Sequence, residues 1–299
     1  MKSVERVKMA IEHREPDRVP RGELGYDPAL IHRVLGRAGL KEPDGRKLTT
    51  VSKWLDRAEL EEFLNRLGID LVVISSADEA GYWAAHSDFF VFGMVGGVFS
   101  DPAYARGLER FLLDCAGDPV GTAELARASA HRNLALAERL ITGGAQGVII
   151  ADDLAFSGGP FLPPPLLRRV FFPPLSELAG RLRDRGVPVF LHSDGRLTAI
   201  LDDLVGLGFD GLHSLQPSAG MDLETIKRRY GDRLCLWGNV ELDDLLALPD
   251  PPSVREAARR AVAAAGPGGG FILSSASGFL RGEIPLEHVL AMYGSPSAP

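Results

Sequence analysis

Short apolar runs alternate with helical patterns along almost the whole chain, and this alternation restricts the fold more than any other feature. The runs are apolar throughout, which is typical of parallel strands buried on both faces of a sheet. We count about eight of them, at residues 19–24, 69–74, 89–99, 147–151, 187–191, 209–214, 233–237 and 270–273. Eight such strands, each followed by helical or loop material, in 299 residues predict an α/β fold, specifically a (β/α)8 barrel (TIM barrel).

A doubly wound parallel sheet is the alternative architecture. Its dinucleotide-binding form carries Gly-x-Gly-x-x-Gly in the first strand-to-helix turn, and this sequence has no such fingerprint there. The length would also allow two domains, but no Pro/Ser-rich or charged linker divides the chain. We therefore predict a barrel in one domain over residues 1–299.

Composition and charge exclude several classes of partner. A net charge of -7 without a basic stripe argues against nucleic acid. No apolar run of about 18 residues occurs, so we expect no membrane span. The N-terminus mixes charges without an apolar signal core, and Cys115 and Cys235 lie far apart. We expect a cytoplasmic protein with reduced thiols, acting on a small molecule, and leave the oligomeric state open.

The strand Val187–Leu191 ends in His192-Ser193-Asp194-Gly195, the stretch that says most about function. Side chains alternate along a strand, so His192 and Asp194 should leave the same face. An imidazole and a carboxylate delivered together into one cavity indicate a metal or acid/base site. The structural alternative is that Asp194 caps the helical pattern that follows and that His192 is a core residue.

In a barrel, the chemistry lies where the strands end, at one mouth. The strand ends form an acidic ring that also contains His192 and His213. Within this ring we predict four catalytic candidates and three candidates for binding a cofactor or substrate. The catalytic candidates are Asp152, Asp153, Glu23 and Asn239, and the binding candidates are Gln216, Ser275 and Ser277.

Several of these residues also have plain structural interpretations. Asp152 and Asp153 are adjacent, and neighbours on a strand face opposite ways, so we expect only one of them to enter the mouth. Glu23 could instead pair with a nearby arginine, and Gln216 could shape a turn with the proline after it.

The chain resembles the uroporphyrinogen decarboxylase superfamily over nearly its whole length. The resemblance rests on Arg6–Ala10 with Pro16–Pro20, on the Asp152-Asp153 region, on His192–Gly195, and on Leu236–Val240. The closing stretch Gly270–Ser277, followed by Pro285–Val289, fits the same pattern. The resemblance implies a (β/α)8 barrel.

One branch of that superfamily contains methyltransferases that move a methyl group between a cobamide protein and a thiol. They hold zinc through a His-x-Cys pair on this strand and a Cys after the last strand. Here His192 matches the histidine, Asp194 replaces the first cysteine and Ser277 the second. The resemblance thus implies a methyltransferase-like enzyme with a cobamide (corrinoid) partner protein and a divalent metal such as zinc on His192 and Asp194, helped by Glu23 or Asp152.

The other branch is the cofactor-free decarboxylase of haem synthesis. Its arginine-rich motif would fall at Arg21–Tyr26, where one arginine stands beside a carboxylate, and its late histidine falls at Ser277. The carboxylate near the end of its second strand could be Asp78. An acidic mouth would repel a substrate with many negative charges. A metal-free carboxy-lyase and a non-catalytic barrel that binds a ligand or a corrinoid protein remain the alternatives.

Overall fold

The computed structural model describes residues 1–37, 56–241, 245, 246 and 248–294. Its main element is a seven-stranded sheet in which all neighbouring strands are parallel; from one edge to the other, its strands begin at residues 271, 235, 211, 189, 147, 90 and 71. The strands are β1 Gly25–Tyr26, β2 Leu71–Ile74, β3 Phe90–Gly96, β4 Gly147–Ala151, β5 Ala155–Phe156, β6 Gly159–Pro160, β7 Val189–Ser193, β8 Gly211–Ser214, β9 Cys235–Val240, β10 Phe271–Ser275 and β11 Phe279–Leu280.

The segment Pro20–Gly22 closes the sheet into a barrel, because it bonds to both edge strands. Leu273 N–H donates to Pro20 O at 2.8 Å, and Gly22 N–H donates to Leu273 O at 3.1 Å. On the other side, Asp70 N–H donates to Arg21 O at 2.8 Å. The predicted strand 19–24 is thus present as a single parallel bridge instead of a regular strand. Pro20 has no N–H to give to a ladder, which keeps the pairing short.

Helices surround the barrel. They are α1 Ser3–Ile11, α2 Pro28–Leu35, α3 Arg57–Leu67, α4 Ala77–His86, α5 Ser100–Arg106, α6 Leu108–Gly117, α7 Pro119–Gly143, α8 Pro164–Val170, α9 Phe172–Arg183, α10 Leu201–Gly206, α11 Leu223–Tyr230, α12 Pro251–Ala265 and α13 Leu286–Tyr293. No helix within the described part of the chain is long and apolar enough to cross a membrane.

Helical patterns in the sequence differ from the observed helices mainly at breaks. The pattern between Asp101 and Asp114 predicts one helix, but the structure has two, α5 and α6, that meet at Gly107 with a φ of 83°. The pattern over residues 166–185 also predicts one helix, but the structure has α8 and α9, and a Pro-Pro pair starts the second. We predict no helix where α4 lies, although Ser76 and Glu79 form the start signal Ser-x-x-Glu. A further helical pattern covers residues 28–66, of which residues 38–55 lie outside the described residues.

The barrel interior is filled below its mouth by side chains that point inward from alternate strand positions. Aromatic rings dominate this inner core: Phe92 lies 5.2 Å from Phe190 and 5.1 Å from Trp237 between ring centroids. Val7 of α1 joins the same cluster from below. The inner core is therefore a packed floor, and the ligands of such barrels bind at the strand ends.

An ion-pair network holds the opposite end of the barrel. Asp70, which is fully buried, accepts hydrogen bonds from Arg6 Nη1 at 2.6 Å and Arg18 Nη1 at 2.7 Å. It also accepts Arg21 N–H at 2.9 Å. Asp17 binds the other side of the Arg6 guanidinium, which lowers the pKa of Asp17 below its ordinary value. The network joins α1 and the closing segment to Asp70, directly before the first residue of β2.

Candidate metal centre

Three potential metal ligands converge at the carboxyl ends of β4 and β7. His192 lies on β7, Asp194 follows that strand, and Asp153 follows β4, the neighbouring strand. One ligand atom from each residue lies within 4.8 Å of the others. His192 Nε2 and Asp153 Oδ1 are 3.5 Å apart. The His192 side chain is 11% exposed and that of Asp153 30%, so the group is recessed but open at the mouth.

Both carboxylates are held in place by hydrogen bonds. Ser214 Oγ donates to Asp194 Oδ1 at 2.7 Å. Asp194 N–H donates to Asp153 Oδ1 at 3.2 Å, and the hydroxyl of Tyr104 donates to Asp153 Oδ2 at 3.0 Å. Each carboxylate therefore has a fixed orientation and still has lone pairs for a cation, as the carboxylate ligands of metal sites commonly do.

His192 is held by a second histidine. Its Nδ1 lies 2.7 Å from His213 Nδ1, and the two residues are directly opposed in the register of β7 and β8. His213 is fully buried and packs edge-on against Trp237, with ring centroids 5.1 Å apart. The pair leaves Nε2 of His192 as the ring nitrogen that faces Asp153.

The electrostatics of the site follow from this burial. Burial raises the pKa of Asp194, and the nearby His192 and the hydrogen bond from Ser214 oppose that rise. Burial also holds the pKa of His213 well below its ordinary value, and His192 beside it acts in the same direction. His213 is therefore a neutral imidazole at neutral pH.

Asp152 has structural contacts. Its carboxylate is fully buried and accepts three backbone N–H groups at the start of α5: Val98 at 3.0 Å, Phe99 at 3.0 Å and Ser100 at 2.7 Å. Burial raises its pKa to about 7, although these hydrogen bonds act in the opposite direction. Of the two adjacent acids, Asp153 is therefore the one that lies with His192 and Asp194. A catalytic role for Asp152 stays a prediction.

Glu23 is also enclosed, at the seam between the closing segment and the last strand. Ser275 donates to it twice, from N–H at 2.7 Å and from Oγ at 2.8 Å, and Tyr293 of α13 donates its hydroxyl. Burial raises the pKa of Glu23 to about 7. These contacts tie the barrel closure to α13, and the predicted catalytic role of Glu23 stays a prediction.

The remaining predicted site residues line the rim and do not belong to the three-residue cluster. Ser277 Oγ donates to Phe279 O at 3.2 Å and lies 3.3 Å from Ser275 Oγ. Asn239 Nδ2 donates to Leu215 O at 2.9 Å, and Gln216 Oε1 accepts Gly195 N–H at 3.2 Å. These hydrogen bonds join neighbouring loops of the rim. Their predicted catalytic or binding roles stay predictions.

Two residues considered for the decarboxylase interpretation point elsewhere. Nη1 of Arg21 donates a hydrogen bond to Tyr293 O, so the guanidinium is directed at the backbone of α13. Asp78 lies in the first turn of α4, outside the barrel strands. Sequence reasoning missed Tyr104, because nothing in the pattern of α5 marks a helix residue that reaches the site.

The comparisons with known proteins agree with the fold. The family model of uroporphyrinogen decarboxylase matches residues 58–295. The chain belongs to the uroporphyrinogen decarboxylase family. A solved structure, a methyltransferase from Methanosarcina mazei, is similar to this family member with a TM-score of 0.75 at 17% identity, covering 98% of this chain and 97% of the other. At that identity the likeness shows the shared (β/α)8 fold.

A weaker likeness links this family member to the GH18 chitinase ChiB of Flavobacterium johnsoniae. That structure has a TM-score of 0.46 and 11% identity, covering 80% of this chain and 91% of the other. A comparison with curated protein sequences gave no match.

Proposed function

We propose that this member of the uroporphyrinogen decarboxylase family is a metal-dependent methyltransferase. A divalent cation would be held by His192, Asp153 and Asp194. The observation that carries the proposal is the convergence of one imidazole and two carboxylates within 4.8 Å at the barrel mouth. The methyl donor that we propose is a methylated corrinoid on a partner protein, which is what the resemblance to the methyltransferase branch implies.

The donor atoms fit a divalent cation. Zinc accepts imidazole nitrogen and carboxylate oxygen, and catalytic zinc sites commonly combine three protein ligands with one open position. The cysteines of the methyltransferase branch are replaced here, and Asp153 supplies a third ligand that Ser277 cannot. Because two of the three donors are carboxylates, the site is harder than a thiolate site and also suits manganese.

The chain's own residues prepare the site. Tyr104 and Ser214 fix the two carboxylates, and His213 fixes the imidazole. A bound cation would act as a Lewis acid toward the acceptor and would offset the two negative charges. Without that charge compensation, the paired carboxylates would disfavour an anionic acceptor such as a thiolate.

The rim also supports access by a large methyl carrier. Tyr104 is 73% exposed and Phe156, on the hairpin formed by β5 and β6, is 50% exposed. The backbone of Phe156 lies against Gly195, directly after the metal-binding sequence, because Arg196 N–H donates to Phe156 O at 2.9 Å. These two exposed rings give the mouth an apolar border.

The test is methyl transfer from free methylcobalamin to a panel of small thiols, with chelator-stripped and zinc-loaded protein. Transfer would form a methyl thioether, release the thiol proton and leave cob(I)alamin, which is followed by its absorbance under anaerobic conditions. We expect turnover with loaded wild type and a loss of at least 100-fold in Asp153→Asn. Asp232→Asn is the matched control, since that side chain is 79% exposed and belongs to no site. Equal turnover in stripped and loaded protein would contradict the proposal.

A metal-free carboxy-lyase is the second candidate, and the 3.5 Å approach of His192 Nε2 to Asp153 Oδ1 favours it. Such a pair can hold and deliver a proton as general acid and base. Release of carbon dioxide from a carboxylate substrate that persists in the presence of a strong chelator would favour this candidate over the methyltransferase.

A further inference from the structure

His192 and His213 form a buried imidazole pair. Parallel pairing of β7 and β8 sets the two residues side by side, and their Nδ1 atoms are 2.7 Å apart. His213 is enclosed by Trp237 on one side and by Gly278 on another, where a Cβ would lie 2.6 Å from His213 Cε1. His213 therefore has one fixed ring position, and that position is directed at His192.

A hydrogen bond between two Nδ1 atoms contains one proton, so one ring must donate and the other must accept. If His192 donates, its Nε2 has a free lone pair that faces Asp153. If His213 donates, Nε2 of His192 is protonated and cannot bind a metal. The tautomer of the pair thus decides whether the site can hold a cation.

Ser274 distinguishes the two arrangements. Its hydroxyl donates to Ser275 O at 2.8 Å, so its single proton is already used. Ser274 Oγ lies 3.5 Å from Nε2 of His213 and can only accept there. His213 then has its proton on Nε2, which leaves its Nδ1 as the acceptor for His192. This assignment rests on the contacts of Ser274 with Ser275 and His213.

We infer that His213 is a positioning residue that keeps His192 in the Nδ1–H tautomer and presents the Nε2 lone pair to the metal. This inference rests on the proposed metal site and deepens it. Metal-binding histidines generally donate their second ring nitrogen to a buried partner, and removing such partners commonly lowers metal affinity by about 10–100-fold. Here the partner is a second histidine.

The first test reads the tautomer without metal. Long-range proton–nitrogen NMR of full-length, chelator-stripped protein labelled with 15N-histidine distinguishes Nδ1–H from Nε2–H rings. The chain has 7 histidines, and the His192 signals are assigned by their loss in His192→Asn. We expect the Nδ1–H tautomer at His192 in wild type. An Nε2–H tautomer would overturn the inference, and this measurement needs no variant of His213.

The second test compares two variants of His213. His213→Asn keeps an acceptor near the Nδ1 position, whereas His213→Leu removes it. We expect zinc affinity, measured by calorimetry with zinc chloride, to fall by 10–100-fold in His213→Leu and to be restored to within a few-fold of wild type in His213→Asn. Exposed His131 provides the matched control, His131→Leu, in which affinity stays at the wild-type value.

The two tests separate this inference from the proposed function. Wild type that has the Nδ1–H tautomer at His192 but takes up no zinc would contradict the metal site and would support only the assignment of the tautomer. If wild type and His213→Leu bind zinc with equal affinity, the result would support the metal site and overturn the positioning role.

Discussion

Replacing Glu23 by glutamine should make the barrel less sensitive to pH. Glu23 is 1% exposed, and burial raises its pKa from 4.5 to about 7. Below pH 4.5 the carboxyl is protonated in both the folded and the unfolded chain. As the pH rises toward 7, the unfolded chain loses this proton first, so the folded state loses stability over that interval.

The size of this effect follows from the pKa change. A change from 4.5 to about 7 corresponds to about 3 kcal/mol of unfolding free energy. Glutamine has nearly the same shape and keeps an oxygen that can accept from Ser275 and Tyr293, but it has no proton to lose. Relative to wild type, Glu23→Gln should therefore gain about 3 kcal/mol between pH 4.5 and pH 8.

Urea denaturation at several pH values between 4.5 and 8 measures this gain. The unfolding free energy falls by about 3 kcal/mol per molar urea. The difference between the urea midpoints of wild type and Glu23→Gln should therefore change by about 1 M across this pH range. Glu283→Gln is the control, since the Glu283 side chain is 60% exposed and the difference from wild type should stay constant. If Glu23→Gln were instead less stable than wild type at pH 8, the pocket would stabilise a charged carboxylate and the reasoning would be wrong.

Substitution of other carboxylates should affect stability and metal affinity according to the contacts of each side chain. Asp152→Ala leaves three backbone N–H groups without their acceptor, so we expect a loss of at least about 3 kcal/mol in urea denaturation. Asp153→Ala should lose metal affinity with little loss of stability, because its side chain is 30% exposed; a large drop in its urea midpoint would contradict this. Asp70→Asn should cost about 1–3 kcal/mol in urea denaturation by weakening the hydrogen bonds from Arg6 and Arg18, because Arg6 keeps its pair with Asp17. Calorimetry should find zinc affinity unchanged, because Asp70 lies at the opposite end of the barrel from His192.

The strand pattern was sufficient to predict the barrel. Runs such as 147–151 are apolar at every position because helices cover one face of the strand and the inner core covers the other. A run of this kind can therefore be recognised without reference to the other strands. The closing segment was harder to predict, because Pro20–Gly22 forms its pairing with too few residues to show a pattern. The break at Gly107 requires a positive φ. Glycine permits this conformation but also permits negative φ, so its presence alone does not predict a break.

The site could be predicted only in part. The period of two along a strand brought His192 and Asp194 together correctly. That period also shows that Asp152 and Asp153 diverge, but it cannot show which of them reaches the mouth. The choice depends on the backbone turn before α5, whose N–H groups need the carboxylate of Asp152. The direct opposition of His192 and His213 depends on the register between β7 and β8, which a single sequence does not encode in a readable pattern.

The central prediction is that His192, Asp153 and Asp194 bind a divalent cation. Calorimetric titration of the chelator-stripped, full-length protein with zinc chloride tests this claim most directly. We expect one zinc per chain in wild type and in the control Asp232→Asn. We expect a loss of affinity greater than about 100-fold in His192→Ala, which removes a ligand atom, and in Asp153→Asn and Asp194→Asn, which each remove the negative charge of a ligand. Absence of binding in wild type, or wild-type affinity in all three variants, would contradict the metal site.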